Sequence, residues 1–112
     1  MRAGEPSDPN RVVPPHPVMA WAESDQGAIV RGIVDAFYEG GAHVSLDGAL
    51  EAGDDVAVRI AFGPGTPTLP ASGRVVSVNA EGDQLRYALE WTSEGKERVA
   101  LEEQIARLGT VH

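Results

Sequence analysis

The residues that could do chemistry are few, and most are badly placed for it. The three histidines, His16, His43 and His112, share no local ligand spacing, and the chain has no cysteine. Zinc sites usually show paired, short-spaced ligands, so no metal centre is expected and the histidines read as solvent-exposed. The lack of cysteine also excludes disulfides and fits a reducing compartment. Ser24, Ser45, Ser72, Ser77 and Ser93 sit in no Gly-x-Ser-x-Gly elbow. Asp54 and Asp55 are paired carboxylates, but neighbours on a strand point to opposite faces and are poorly placed to share a proton or a substrate. The 'GPG' at 63–65 is followed by no Gly-Lys-Ser/Thr and is not a phosphate loop. No catalytic residue is assigned. The chain reads as a non-enzyme that needs no cofactor.

One stretch is more suggestive. 'VDAFYEGGAHV', Val34 to Val44, places Asp35 at the end of an apolar run and Gly40 and Gly41 after it. Read plainly, the glycines supply positive φ for a tight turn, and Phe37 and Tyr38 alternate in and out of a sheet. Trp21 and Trp91 could stack on a ligand. Large aromatics more often fill a core, with the indole N–H reaching a partner, and that is the expectation for both.

The elements that would position these residues are mostly strands. Residues 1–17 hold five of the eight prolines, at Pro6, Pro9, Pro14, Pro15 and Pro17. Proline fixes φ and removes a donor, so this segment is expected to be an extended or disordered arm. Strands are predicted at Val18–Glu23, Ala28–Phe37, Ala42–Leu46, Asp55–Phe62, Ser72–Ala80 and Leu85–Trp91. 'DVAVRIAF' alternates most clearly, with Val56, Val58, Ile60 and Phe62 on one face. 'AEGD' is a hairpin signal between the last two strands, and 'GPGTPTLP' is a longer, proline-stiffened loop. In 'KERVALEEQIARLG', Leu101, Ile105 and Leu108 fall at helical spacing, with Arg107 in the last turn and Gly109 as a stop. The expectation is all-β: a small six-stranded antiparallel barrel over residues 18–112, with a C-terminal α-helix at about 97–108 packed on it.

Composition bounds the partners. The chain has 112 residues, 42% of them hydrophobic, enough for one packed domain. The formal net charge is -8, with one Lys and eight scattered Arg, which argues against nucleic acid. No apolar run approaches the roughly 20 residues of a membrane span. 'MRAGEPSDPN' has no apolar core of a signal peptide, so a cytoplasmic location without membrane insertion is expected.

The order of a proline-rich arm with an arginine, an Asp-x-x-x-x-Gly ending the second strand, 'GGAHV', 'GDDVAVRI', 'GRVVSV', 'YALEW' and a terminal helix resembles the PilZ family. These are bacterial six-stranded barrels that serve as receptors for cyclic di-GMP. The resemblance runs from about Arg11 to Leu108. It implies a ligand site in two parts: Arg-x-x-x-Arg in the arm, and Asp or Asn, x, Ser, x, x, Gly at the end of the second strand. By that likeness Arg11, Asp35 and Gly40 would bind the ligand. Two positions depart from the pattern. Phe37 stands where the family has Ser. If Arg11 is the first arginine, Pro15 stands at the second; if it is the second, Ser7 stands at the first. A second register, His43-x-Ser45-x-x-Gly48, keeps Ser and Gly but loses Asp. Gly53 follows Gly48 by only five positions there, too few for a strand and its return.

The departures weigh on affinity. A guanidinium binds phosphate or a guanine edge bidentately and stacks on a base. A hydrogen bond to a charged group is worth about 1.5–3 kcal/mol, so losing one arginine costs roughly tenfold to a hundredfold. Phe37 lacks the hydroxyl, and its ring either blocks the site or fills the core. Three functions follow. The first is a divergent PilZ-like regulatory or adaptor domain that has lost cyclic di-GMP and acts on an unidentified protein, in bacterial motility, pilus or chemosensory signalling. The second is a working cyclic di-GMP receptor with a non-standard site that recruits Arg31 or Arg74. The third is an unrelated small barrel that binds a peptide or nucleic acid.

Overall fold

Alternation along Asp55–Ala61 sets the architecture: Val56, Val58 and Ile60 are buried, while Asp55, Ala57 and Arg59 are exposed. A half-buried strand of this kind needs neighbours that turn the same face inward. A computed structural model describes residues 12–48, 50–63 and 65–109, and in it six such strands close on one another. They are β1 (Met19–Ser24), β2 (Ile29–Tyr38), β3 (Gly41–Leu46), β4 (Asp55–Ala61), β5 (Leu69–Glu81) and β6 (Gln84–Trp91), followed by helix α1 (Gly95–Gly109). The barrel runs β1-β2-β3-β6-β5-β4, every pair antiparallel, so no strand is left as an edge.

The interior is filled by the inward residues of all six strands, with Tyr87, Phe37 and Ile60 among its largest fully buried side chains. Phe37 and Phe62 stack at 5.7 Å between ring centroids, 17° from parallel. The Tyr87 hydroxyl donates to the Gly48 carbonyl at 2.7 Å and accepts from the Leu50 amide at 2.9 Å. That ties the β3–β4 connection to the core and satisfies two backbone groups that would otherwise cost free energy when buried. α1 packs on β5 and sends Leu101 into the core, with Ile105 and Leu108 half-buried behind it.

The two-residue β2–β3 turn uses its glycines differently from the expectation. Gly40 has φ +86, so the turn has the φ signs of type II, with Gly at the position that demands them. Gly41 has no positive φ. Its role is close approach: a Cβ there would lie 2.1 Å from the Leu89 carbonyl oxygen of β6. The β5–β6 hairpin at Gly82 and Asp83 matches the expected turn, with Gly82 at φ +62.

Candidate functional site

Asp35 sits where the β2–β3 ladder slips. Val34 pairs with Val44 and Ala36 with His43, so Asp35 is the extra residue of a β-bulge. In a regular strand Asp35 and Phe37 would share a face, because residues two apart point the same way. The bulge breaks that rule. Val34 is inward, Asp35 is half-buried on the outer face, and the next inward side chain is Phe37, three positions on from Val34. Of the two places open to the Phe37 ring, blocking the site or filling the core, it takes the second: it is fully buried in the barrel and stacked on Phe62.

The hydroxyl that the motif lacks at Phe37 arrives from the neighbouring strand. Ser45 on β3 points outward between the buried Val44 and Leu46, and its Oγ donates to Asp35 Oδ2 at 2.6 Å. Arg86 on β6 lies opposite Ser45 in register, and its Nε is 3.4 Å from the same carboxylate oxygen. Asp35, Ser45 and Arg86 thus form a polar cluster on the outer face of β2, β3 and β6. Both side chains of the ion pair are partly solvated, 33% exposed for Asp35 and 41% for Arg86. Next to them on the outer face, Tyr38 Oη and His43 Nδ1 are hydrogen-bonded at 2.5 Å, with the rings edge to face at 4.5 Å. His43 is half-buried by that contact rather than solvent-exposed.

The arm reaches the same strand. Val12 and Phe37 exchange two backbone hydrogen bonds, each 2.8 Å, so the chain before β1 runs along the C-terminal end of β2. His16 is exposed, yet its Nε2–H donates to the Phe62 carbonyl at 2.6 Å and pins the arm to the barrel. Pro15 is exposed between these two anchors. Arg11, the residue expected to bind a phosphate from the arm, lies outside the described residues, as do Ser7 and His112.

The arginines named as substitutes do not reach Asp35. Arg31 pairs with Asp47 at 3.7 Å and Arg74 with Asp55 at 3.2 Å, all largely exposed. Arg86 was missed because its place beside Asp35 follows from the β3–β6 pairing, between strands 38 or more residues apart. Ser45 was visible only as the second, rejected register. Trp91 is buried as expected, though its indole N–H finds no hydrogen-bond partner among the described residues. Trp21 is not in the core: it faces outward from β1, half-exposed between the buried Ala20 and Ala22. Among the described residues no three His, Asp or Glu converge to hold a metal, and no helix is long and apolar enough to cross a membrane.

Comparison with known proteins places this barrel. The family model described as the PilZ domain matches residues 14–108. No curated protein matches the chain. Among solved structures, the PilZ domain of YcgR from Escherichia coli with cyclic di-GMP is similar at a TM-score of 0.71 and 17% identity, over 88% of each chain. The PilZ domain of CeSA from a cellulose-synthesizing bacterium gives 0.59 and 23%, over 88% of this chain and 92% of that one. The Bacillus subtilis inhibitor of motility MotI/DgrA gives 0.66 and 14%; all of this chain is covered, against 56% of that protein. These identities speak for a shared barrel, and the family match covers most of the sequence: the chain belongs to the PilZ domain family.

Proposed function

We propose that this chain is a non-catalytic PilZ regulatory or adaptor domain that works through contact with another protein and does not bind cyclic di-GMP. The observation that carries the reading is Phe37. The position where the family pattern has a ligand-facing serine holds a ring turned into the core, stacked on Phe62. A second support is Pro15, which stands in the arm where a second arginine would follow Arg11. The carboxylate of Asp35 is also already engaged by Ser45 and Arg86, so a guanine edge or an arm arginine would have to compete with partners in place. The likeness to MotI/DgrA, an inhibitor of motility, supports a setting in bacterial motility control, with pilus or chemosensory regulation as neighbouring settings. Isothermal titration of the chain with cyclic di-GMP tests the reading: no saturable heat is expected, and micromolar or tighter binding would end it.

The Asp35 cluster favours one second reading, a cyclic di-GMP receptor with a non-standard site. Ser45 would supply the hydroxyl and Arg86 the guanidinium that Phe37 and Pro15 cannot. That reading requires binding in the unmutated chain that Arg86→Ala and Asp35→Ala each abolish.

A further inference from the structure

The outward residues of β2, β1, β4 and β5 stand in rows across the barrel, and one row is low. Ile29 on β2 pairs with Glu23 on β1, Glu23 with Ala57 on β4, and Ala57 with Ser72 on β5. The small Ala57 and Ser72 leave a trough, because the next row holds the bulkier Trp21, Arg59 and Pro70, also opposed in register. The trough is a groove of about 560 Å³, and Glu97 reaches it from the first turn of α1. A second groove of about 320 Å³ shares Glu23, Ala57 and Ser72 with it and adds Asp25 and Asp55.

Two properties of the trough bear on what fills it. It has an apolar wall: Ile29 is 66% exposed and Trp21 half-exposed. Among the described residues no ring or cation contact covers the indole. It also carries negative charge that nothing nearby offsets. Glu23, Asp25 and Glu97 make no ion pair among the described residues, although Glu97 is half-buried. Asp55 is paired with Arg74. Arg59 is the single cation lining either groove, so three unpaired carboxylates stand against one guanidinium.

We propose that this trough docks an extended basic segment of a partner protein. An arginine or lysine crosses Ala57 with its aliphatic stem and brings its charge to Glu23 and Glu97, next to an apolar side chain on Trp21 and Ile29. The sign of the charge selects this occupant. The unpaired carboxylates and the net charge of -8 both attract a cation. Both repel a second copy of the chain, a nucleic acid or an acidic peptide. An open indole face adds to the attraction for a cation. Length fits a short segment: from β2 to β5 the row crosses three inter-strand gaps, about 14 Å, the span of about four extended residues. The proposal rests on the reading of the chain as a protein-contact module and adds the place and chemistry of the contact. Its failure is distinct from failure of that reading, which cyclic di-GMP tests at Asp35 on another face.

The test is fluorescence anisotropy of rhodamine-labelled Lys-Leu-Arg-Val-Gly-amide titrated with the full chain. Labelled Glu-Leu-Asp-Val-Gly-amide, Lys-Ser-Arg-Ser-Gly-amide and an oligothymidylate are the contrasting arms. Saturable binding is expected with the first peptide, weaker by about threefold or more with the serine peptide, and absent with the two anions. Glu23→Lys should weaken it about tenfold or more, whereas Arg59→Glu should tighten it. Glu103→Lys makes the same charge change at a residue that lines neither groove, and should cost less than about threefold. All three residues are exposed, so the substitutions leave the core intact. No saturation below about 1 mM chain, binding of either anion, equal affinity for the serine peptide, or weaker binding in Arg59→Glu would each overturn the proposal. Equal losses in Glu23→Lys and Glu103→Lys would also overturn it, leaving only a general attraction of opposite charges.

Discussion

Restoring the missing letter of the motif, Phe37→Ser, should damage the barrel and repair nothing. Phe37 is fully buried and stacks on Phe62 at 5.7 Å. Deleting a buried phenyl ring costs about 3–5 kcal/mol through lost burial and the cavity left behind. The serine hydroxyl would sit in that cavity without a partner, adding roughly 1–3 kcal/mol. Set against the usual domain stability of about 5–15 kcal/mol, the sum leaves a marginal fold. At about 4 °C per kcal/mol for a domain of this size, the midpoint falls by on the order of 15–30 °C. Thermal and urea denaturation followed by circular dichroism read this directly, and titration below the midpoint reads ligand binding. A variant within about 1 kcal/mol of the parent that also gains micromolar affinity for cyclic di-GMP would refute the reasoning, because Phe37 would then face the ligand surface and not the core.

Tyr87→Phe should lose about 1–3 kcal/mol in urea melts with an unchanged m-value, because it strands the Leu50 amide and the Gly48 carbonyl. Gly41→Ala should be the more damaging of the two turn substitutions, since its Cβ meets the Leu89 carbonyl oxygen at 2.1 Å. Gly40→Ala meets no atom within 4 Å and costs only the left-handed backbone penalty of roughly 1–2 kcal/mol; paired urea melts of the two variants check the order. Asp35→Ala should change stability by less than about 1 kcal/mol, because its ion pair with Arg86 is partly solvated, and equilibrium denaturation at two salt concentrations checks it.

Most of the fold was legible because the strands alternate and the turns are marked. Every predicted strand appears, and most ends fall within one residue; β5 begins three residues early, at Leu69, where Pro70 pairs with Arg59. The helix core at Leu101, Ile105 and Leu108 follows from spacing alone. What stayed hidden is tertiary. In 'VDAFY' the adjacent Ala36 and Phe37 are both apolar, so no polar–apolar pattern marks the bulge that separates Asp35 from Phe37. Arg86 beside Asp35 depends on barrel closure between β3 and β6, which no local signal encodes. Trp21 was expected inside because large aromatics favour cores. Its two small buried neighbours, Ala20 and Ala22, show that β1 turns its small residues inward, where there is no room for an indole. The glycine pair carries both demands of the turn, one conformational and one steric, and only the first shows in sequence.

The central claim is most directly tested by following backbone amide resonances of the unmutated chain during a cyclic di-GMP titration. The account predicts that the amides of Asp35, Ser45 and Arg86, and of Val12 in the arm, stay in place up to about 1 mM nucleotide. Saturable shifts at those four positions with micromolar affinity would contradict it and make the Ser45–Arg86 cluster a working ligand site.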